Sequence, residues 1–259
     1  MPAEYKPHDK RLDKMKYKDT LPKIPSNIVL LGRCGSGKSS ALYTMLNKGY
    51  VTPKGKSVFD EMIIYLGTLD AVEAFKGLPC KNLTVLHEFD PIAFETYLDD
   101  LKQHQMERLE KRKPCLNVAI VFDDFVGMAL QKRVGGKASP LERLMLTSRH
   151  ECNATVFFCS QTYKNNGLMN PTVRNNINYF MLFSLARSDV EKVAEEHCGH
   201  ILPEHFMYLY EKVHSKPYRF MMIDYKKGDD ERFKEGFSKP LTKKMMAETR
   251  DAYSQEEEE

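Results

Sequence analysis

The sequence predicts an α/β fold in three layers, a mainly parallel central sheet with helices on both faces. Three observations predict it. Short, continuous apolar runs alternate with stretches of helical periodicity, the pattern of strands buried on both faces and joined by crossover helices. A glycine-rich segment stands between the first such run and the first helix, and two adjacent aspartates end another run.

Taken in order, Asn27–Gly32 (NIVLLG) is a buried strand, and Lys38–Asn47 is the helix after it. Met62–Leu66 and Leu83–Leu86 are further strands. Pro91–Lys113 is a long helix, with Phe94, Leu98 and Leu101 on one face. Val118–Phe122 is a strand, Pro140–His150 a helix, and Thr155–Cys159 and Tyr179–Leu185 are strands. Ser188 is expected to cap a helix ending near Gly199. Pro203–His214 is a helix and Tyr218–Asp224 a strand.

Composition narrows the class. With 42 % hydrophobic and 29 % charged residues over 259 positions, the chain fits a globular protein rather than a disordered, collagenous or membrane-bundle one. The longest apolar stretch, Tyr179–Ala186, falls far short of the roughly 20 residues that span a bilayer, so no transmembrane segment is expected. The first residues lack the apolar core of a secretory signal. Six cysteines without a CxxC pair point to free thiols in a reducing compartment. A net charge of +3 requires any nucleic-acid footprint to be local.

The chain divides into three expected parts. Residues 1–23 form a basic, mobile arm, with seven Lys/Arg against four acids. Residues 24–225 form the main domain. Residues 226–259 form an extension without a firm pattern, ending in four glutamates.

Gly32-Arg33-Cys34-Gly35-Ser36-Gly37-Lys38-Ser39 matches G-x-x-x-x-G-K-[ST], with a strand before it and a helix after. Glycines let backbone N–H groups curl around phosphates, and the helix presents its positive end. Gly32 through Ser40 are therefore the expected ATP-binding residues. Lys38 reaches the β- and γ-phosphates, and Ser39 ligates Mg²⁺. Asp123 and Asp124 end a buried strand beside this loop, where ligands bind in open α/β sheets. Asp123 is placed to hold Mg²⁺, and Asp124 to polarise an attacking water. The alternative for the pair is a capped turn. Ser160-Gln161 ends the next strand, and Gln161 can hydrogen-bond the γ-phosphate or the water. Arg149 and Arg174 are candidates for a cation delivered from a neighbouring subunit, or else surface cations at helix ends. His197-Cys198-Gly199-His200, with His205, reads better as a glycine helix cap than as a zinc site.

The strand unit inserted between Lys38 and Asp123 resembles the additional-strand, catalytic-acid (RecA/ASCE-like) branch of P-loop NTPases. NKxD and LSGGQ motifs are absent, so GTPases and ABC ATPases are not expected. The series GRCGSGKSS, VFDD, SRHECNATVFFCSQTY and NPTVRNNINYFMLF resembles the genome-packaging ATPases of poxviruses, other large DNA viruses and virophages. These belong to the FtsK–HerA superfamily. The resemblance spans Asn27–Leu185 and implies an ATP-driven motor, a homo-oligomeric ring, that pumps viral double-stranded DNA into a preformed capsid. It carries Lys38 and Ser39 over as phosphate and Mg²⁺ binders, Asp123 as the Mg²⁺ acid, Asp124 as the catalytic acid, Gln161 as the sensor and Arg149 as the trans arginine. Many members have Glu where this chain has the shorter Asp124.

In such a ring, loops at the sheet tips face the channel, so Lys132, Arg133, Lys137 and Lys164 are expected to contact DNA phosphates; the alternative is a flexible solvated loop. A capsid, portal or membrane component is the further partner. The host cytoplasm or virus factory is the expected location, with retention in the virion as a second one. The remaining alternatives are another FtsK–HerA-type DNA pump, a P-loop nucleotide kinase, against which Asp123-Asp124 and Ser160-Gln161 argue, and a scaffold that binds ATP without hydrolysing it.

Overall fold

The computed structural model describes residues 7–68, 72–125, 130, 138–163 and 169–241. Its parallel strands are β1 (Asn27–Leu31), β2 (Glu61–Leu66), β3 (Asn82–Leu86), β4 (Val118–Asp123), β5 (Ala154–Ser160) and β6 (Tyr179–Leu182). Three antiparallel strands complete the sheet: β7 (Met221–Asp224), β8 (Phe233–Glu235) and β9 (Lys239–Pro240). Their order is β3-β2-β4-β5-β1-β6-β7-β8-β9. β5 thus separates the strand that feeds the glycine-rich loop from the strand that carries the aspartates. The section after residue 226, where the sequence shows no firm pattern, adds the last two strands to the edge.

Every residue of β1, β4, β5 and β6 is buried. Alternate side chains feed two cores: Val29 and Leu31 face one, Ile28 and Leu30 the other. Each such side chain removed from water contributes about 1.5–3 kcal/mol, which is why these strands read as unbroken apolar runs. On the first face Tyr65 stacks on Phe122 at 4.9 Å, and Phe89, Phe94 and Phe125 close round them. The aspartate pair therefore stands between two anchored phenylalanines.

Among the described residues the helices are α1 (Lys10–Asp13), α2 (Lys38–Thr44), α3 (Val72–Lys76), α4 (Pro91–Glu110), α5 (Pro140–Glu151), α6 (Pro171–Asn175), α7 (Arg187–His197), α8 (Pro203–Val213) and the short α9 (Asp229–Arg232). A π-helical turn over Met45–Gly49 ends α2. Ser139 and Glu142 form a reciprocal capping box on α5. The cap of α7 is Ala186, not Ser188, which lies inside the first turn. Gly199 follows that helix at φ +67, as a terminating glycine should. Buried Asn27 ties the start of β1 to α5 and α6: its amide donates to Met145 O and Asn176 O, and its carbonyl accepts from Ser148.

Within the stretch expected to be a basic arm, the segment from Asp9 onward makes contacts with the main domain. Arg11 donates to both oxygens of Asp60 at 2.7 Å and also grips Asp9, which accepts from Asn117. Met15 and Leu21 are buried beneath it. No helix among the described residues is long and apolar enough to cross a membrane. All six cysteines are free thiols.

Candidate nucleotide site

The loop after β1 curls because Gly35 and Gly37 adopt φ +73 and +99, a region that L side chains resist. Gly32 has no room for a side chain: a Cβ there would lie 2.6 Å from Phe183 Cβ. Neighbouring strands hold the loop, with Gly32 N donating to Ser160 O and Arg33 N to Ser184 O at 2.8 Å. Gly37 caps α2 without a side-chain hydrogen bond, so the first backbone N–H groups of α2 face the loop without a capping side chain.

Lys38 is buried, and its Nζ donates to Gly32 O at 2.7 Å and Arg33 O at 3.0 Å. Its ammonium also stands 4.0 Å from Asp124 Oδ1. Ser39 Oγ donates to Asp123 Oδ1 at 3.0 Å. One hydroxyl and one carboxylate in contact form the hard-oxygen set that suits Mg²⁺, which takes few protein ligands and completes its shell with phosphate and water.

Two buried oxygens, Ser36 Oγ and Asp124 Oδ1, have no hydrogen-bond partner, although buried polar groups almost always find one. Both belong to the ring of groups that a triphosphate and its cation would fill. Burial raises the Asp123 carboxyl above its ordinary range. Hydrogen bonds from Ser39 and Cys159 oppose that rise, Asp124 adds to it and Lys38 lowers it. A cation at this position would relieve the strain of holding that charge out of water.

Asp124 sits at φ +49, a left-handed conformation that Asp tolerates better than most residues. Gly67, just past β2, allows the turn: its N–H donates to Asp123 O, and a Cβ at Gly67 would meet Asp124 O at 2.0 Å. Gln161 is exposed at the tip of β5, between the loop strand and the aspartate strand. Lys38, Ser39, Asp123, Asp124 and Gln161 therefore gather at one edge of the sheet.

Arg149 does not join them. Its neighbour Ser148 bonds Asn27 at the opposite end of β1, about 13 Å from Leu31 at ~3.3 Å per residue. Burial lowers the Arg149 guanidinium from its usual range, and its Nε has no hydrogen-bond partner; Lys226 is lowered too, by its own burial first and by the nearby Arg149 second. Arg174 is bound within its own chain to Glu196. His197 sits between the hydroxyls of Tyr163 and Tyr225. Lys132, Arg133, Lys137 and Lys164 lie outside the described residues.

The geometry adds residues that the motifs do not reveal. A cleft of about 510 Å³ opens from Lys38 and Ser39 past Ser40 and Thr44 to Tyr218, Phe220 and Phe237. Tyr218 adopts φ +59, which costs an ordinary residue about 1–2 kcal/mol. The only local signal for it is an aromatic beside a proline, Pro217-Tyr218. Gly67 ends an apolar run, which is a clearer one.

Comparison with known proteins matches residues 13–200 to the family described as Poxvirus A32 protein. None of the individual curated proteins matches. Three solved structures share the fold. The DNA-packaging ATPase B204 from Sulfolobus Turreted Icosahedral Virus is 13 % identical, with a TM-score of 0.53 over 82 % of this chain and 96 % of that one. EssC (ATPases 2 and 3) from Geobacillus thermodenitrificans is 12 % identical, with a TM-score of 0.56 over 89 % of this chain and 44 % of that one. The pCW3 conjugation coupling protein TcpA is 12 % identical, with a TM-score of 0.52 over 98 % and 75 %. At such identities the likeness is one of fold, the P-loop α/β sheet expected from the sequence. The family match runs well over half the chain and takes in both the glycine-rich loop and the aspartate pair: the chain belongs to the poxvirus A32 protein family.

Proposed function

We propose that this chain is an ATPase that drives viral double-stranded DNA into a preformed capsid, working as a homo-oligomeric ring. The observation that carries the reading is the contact of Ser39 with Asp123, beside Lys38 and the Asp124 oxygen that lacks a hydrogen bond. Membership of the A32 family and the fold shared with a DNA-packaging ATPase support it.

Lys38 would turn from its loop carbonyls to the β- and γ-phosphates, and the loop N–H groups would neutralise the rest. Mg²⁺, held by Ser39 and Asp123, would supply charge neutralisation on the phosphate oxygens. Asp124 would orient and deprotonate the attacking water, with Gln161 fixing its position. Arg149 would serve the site of the next subunit, since it lies at the far edge of its own sheet. Lys132, Arg133, Lys137 and Lys164 would track the DNA backbone, binding without regard to sequence. Neutralising all four should remove DNA-stimulated turnover while basal turnover survives.

The test is Mg²⁺-dependent ATP turnover with and without double-stranded DNA, read beside solution mass. Turnover stimulated by DNA in a multimer supports the reading. Phosphoryl transfer to a nucleoside monophosphate would make the chain a kinase, and absence of turnover under both conditions would make it a nucleotide-bound scaffold.

A further inference from the structure

We propose that Tyr218 is the stacking platform for the purine base of the nucleoside triphosphate, with Phe220 and Phe237 as the wall behind it. The inference rests on the reading that the glycine-rich loop holds the phosphates, and it names what holds the other end of that ligand.

Tyr218 is 76 % exposed, unusual for a large aromatic, yet its ring lies against the loop. A Cβ on Gly37 would meet Tyr218 Cδ1 at 3.5 Å. The ring thus stands over the last turn of the phosphate loop, on the side where the cleft continues to Ser40 and Thr44. Its backbone at this point is left-handed, at φ +59. Behind it, Phe220 packs on Phe237 at 5.0 Å and on Phe183 at 5.1 Å. Phe183 in turn touches Gly32, so the wall is fixed to the loop it serves.

The hydroxyl of Thr44 is spent on Ser40 O. The wall thus offers flat apolar faces, and a nucleobase is the part of a nucleotide with a matching flat face. Stacking on an aromatic ring accepts any base and gains most from the larger purines. Tyr218 leads into β7, the antiparallel part of the sheet, so the base end of the site is built from a different stretch of chain than the phosphate end.

The experiment compares equilibrium binding of ATP and of ribose 5-triphosphate, which lacks a base, to the full chain and to Tyr218→Ala and Tyr218→Phe. Wild-type protein should prefer ATP. Tyr218→Ala should weaken ATP binding about tenfold while binding of the base-free triphosphate is unchanged, and Tyr218→Phe should restore it. Photolabelling by 8-azido-ATP should fall on the 217–220 segment in the wild type and be lost in Tyr218→Ala.

Equal binding of the two triphosphates by the wild type, or full ATP affinity in Tyr218→Ala, overturns the stacking and leaves the phosphate site standing. A wild-type chain that binds neither triphosphate overturns the nucleotide reading and the stacking with it.

Discussion

Arg174 and Glu196 are paired within one chain, with Nε of the arginine 2.7 Å from Oε2 of the carboxylate. The same guanidinium donates to Met169 O and lies over the Tyr163 ring, whose hydroxyl donates to Glu196. These contacts make Arg174 a strut between α6, α7 and the segment leaving β5. Arg174→Ala should lower the unfolding free energy by about 1–3 kcal/mol, because it strips a partly buried carboxylate of its cation. A double-mutant cycle with Glu196→Gln, followed by urea unfolding, should show the two losses to be strongly non-additive.

Arg149 should behave differently. Mixing Lys38→Ala protein with Arg149→Ala protein should recover part of the turnover that each lacks alone. In mixed assemblies an intact phosphate loop would then stand beside an intact arginine. Steady-state ATPase rates across mixing ratios read this directly, and rates that stay flat would remove Arg149 from a role in trans.

Asp124→Asn should retain ATP affinity and lose turnover by about 10²–10⁴-fold, the contribution expected of a general base. Asparagine also accepts a left-handed backbone, so the turn at φ +49 should survive. Asp124→Val should lose stability as well, since a β-branched residue resists that conformation. Thermal unfolding of the two variants separates chemistry from strain.

Docking of the N-terminal segment should be acid-labile. Burial alone would raise the Asp9 carboxyl, but hydrogen bonds from Arg11 and Asn117 win and hold it below its ordinary value of 3.8. A carboxyl depressed in the folded state binds fewer protons there than in the unfolded chain. Its stabilisation is therefore complete above about pH 4 and is lost as pH falls through the depressed value. Limited proteolysis at falling pH should release residues 1–20 before the sheet unfolds, and Arg11→Ala should release them at neutral pH.

Tyr210→Phe should damage the loop from a distance. The Tyr210 hydroxyl donates to Phe183 O at 2.7 Å and accepts from Leu185 N at 2.8 Å. Between these two residues stands Ser184, whose carbonyl holds Arg33 N. Loss of the hydroxyl leaves two buried backbone groups unpaired, which costs about 1–3 kcal/mol. ATP affinity should fall with it, whereas a residue of purely structural effect would lower melting temperature alone.

Features written locally were legible in the sequence. Ile28–Leu31 and Val118–Phe122 read as strands because burial on both faces leaves an unbroken apolar run. The phosphate loop is legible because its chemistry needs glycines, a lysine and a serine at fixed spacing. Contacts between distant residues were not legible. Arg11 meets Asp60 across 49 positions, so the first residues look like a free basic arm. Arg174 finds Glu196 one helix further on, and no spacing rule announces it. Ser188 has the composition of a helix cap, but the helix begins at Arg187, capped by Ala186 without a side-chain hydrogen bond. Tyr218 and Phe237 reach the site from the turns that flank the antiparallel strands β7, β8 and β9, and turns leave no periodic mark.

The lysine of the phosphate loop is already satisfied by two carbonyls of its own turn. Two hydrogen bonds to the turn's own carbonyls therefore hold the ammonium in place. Any phosphate that takes the ammonium must replace both of these bonds, so the turn itself sets a threshold for entry.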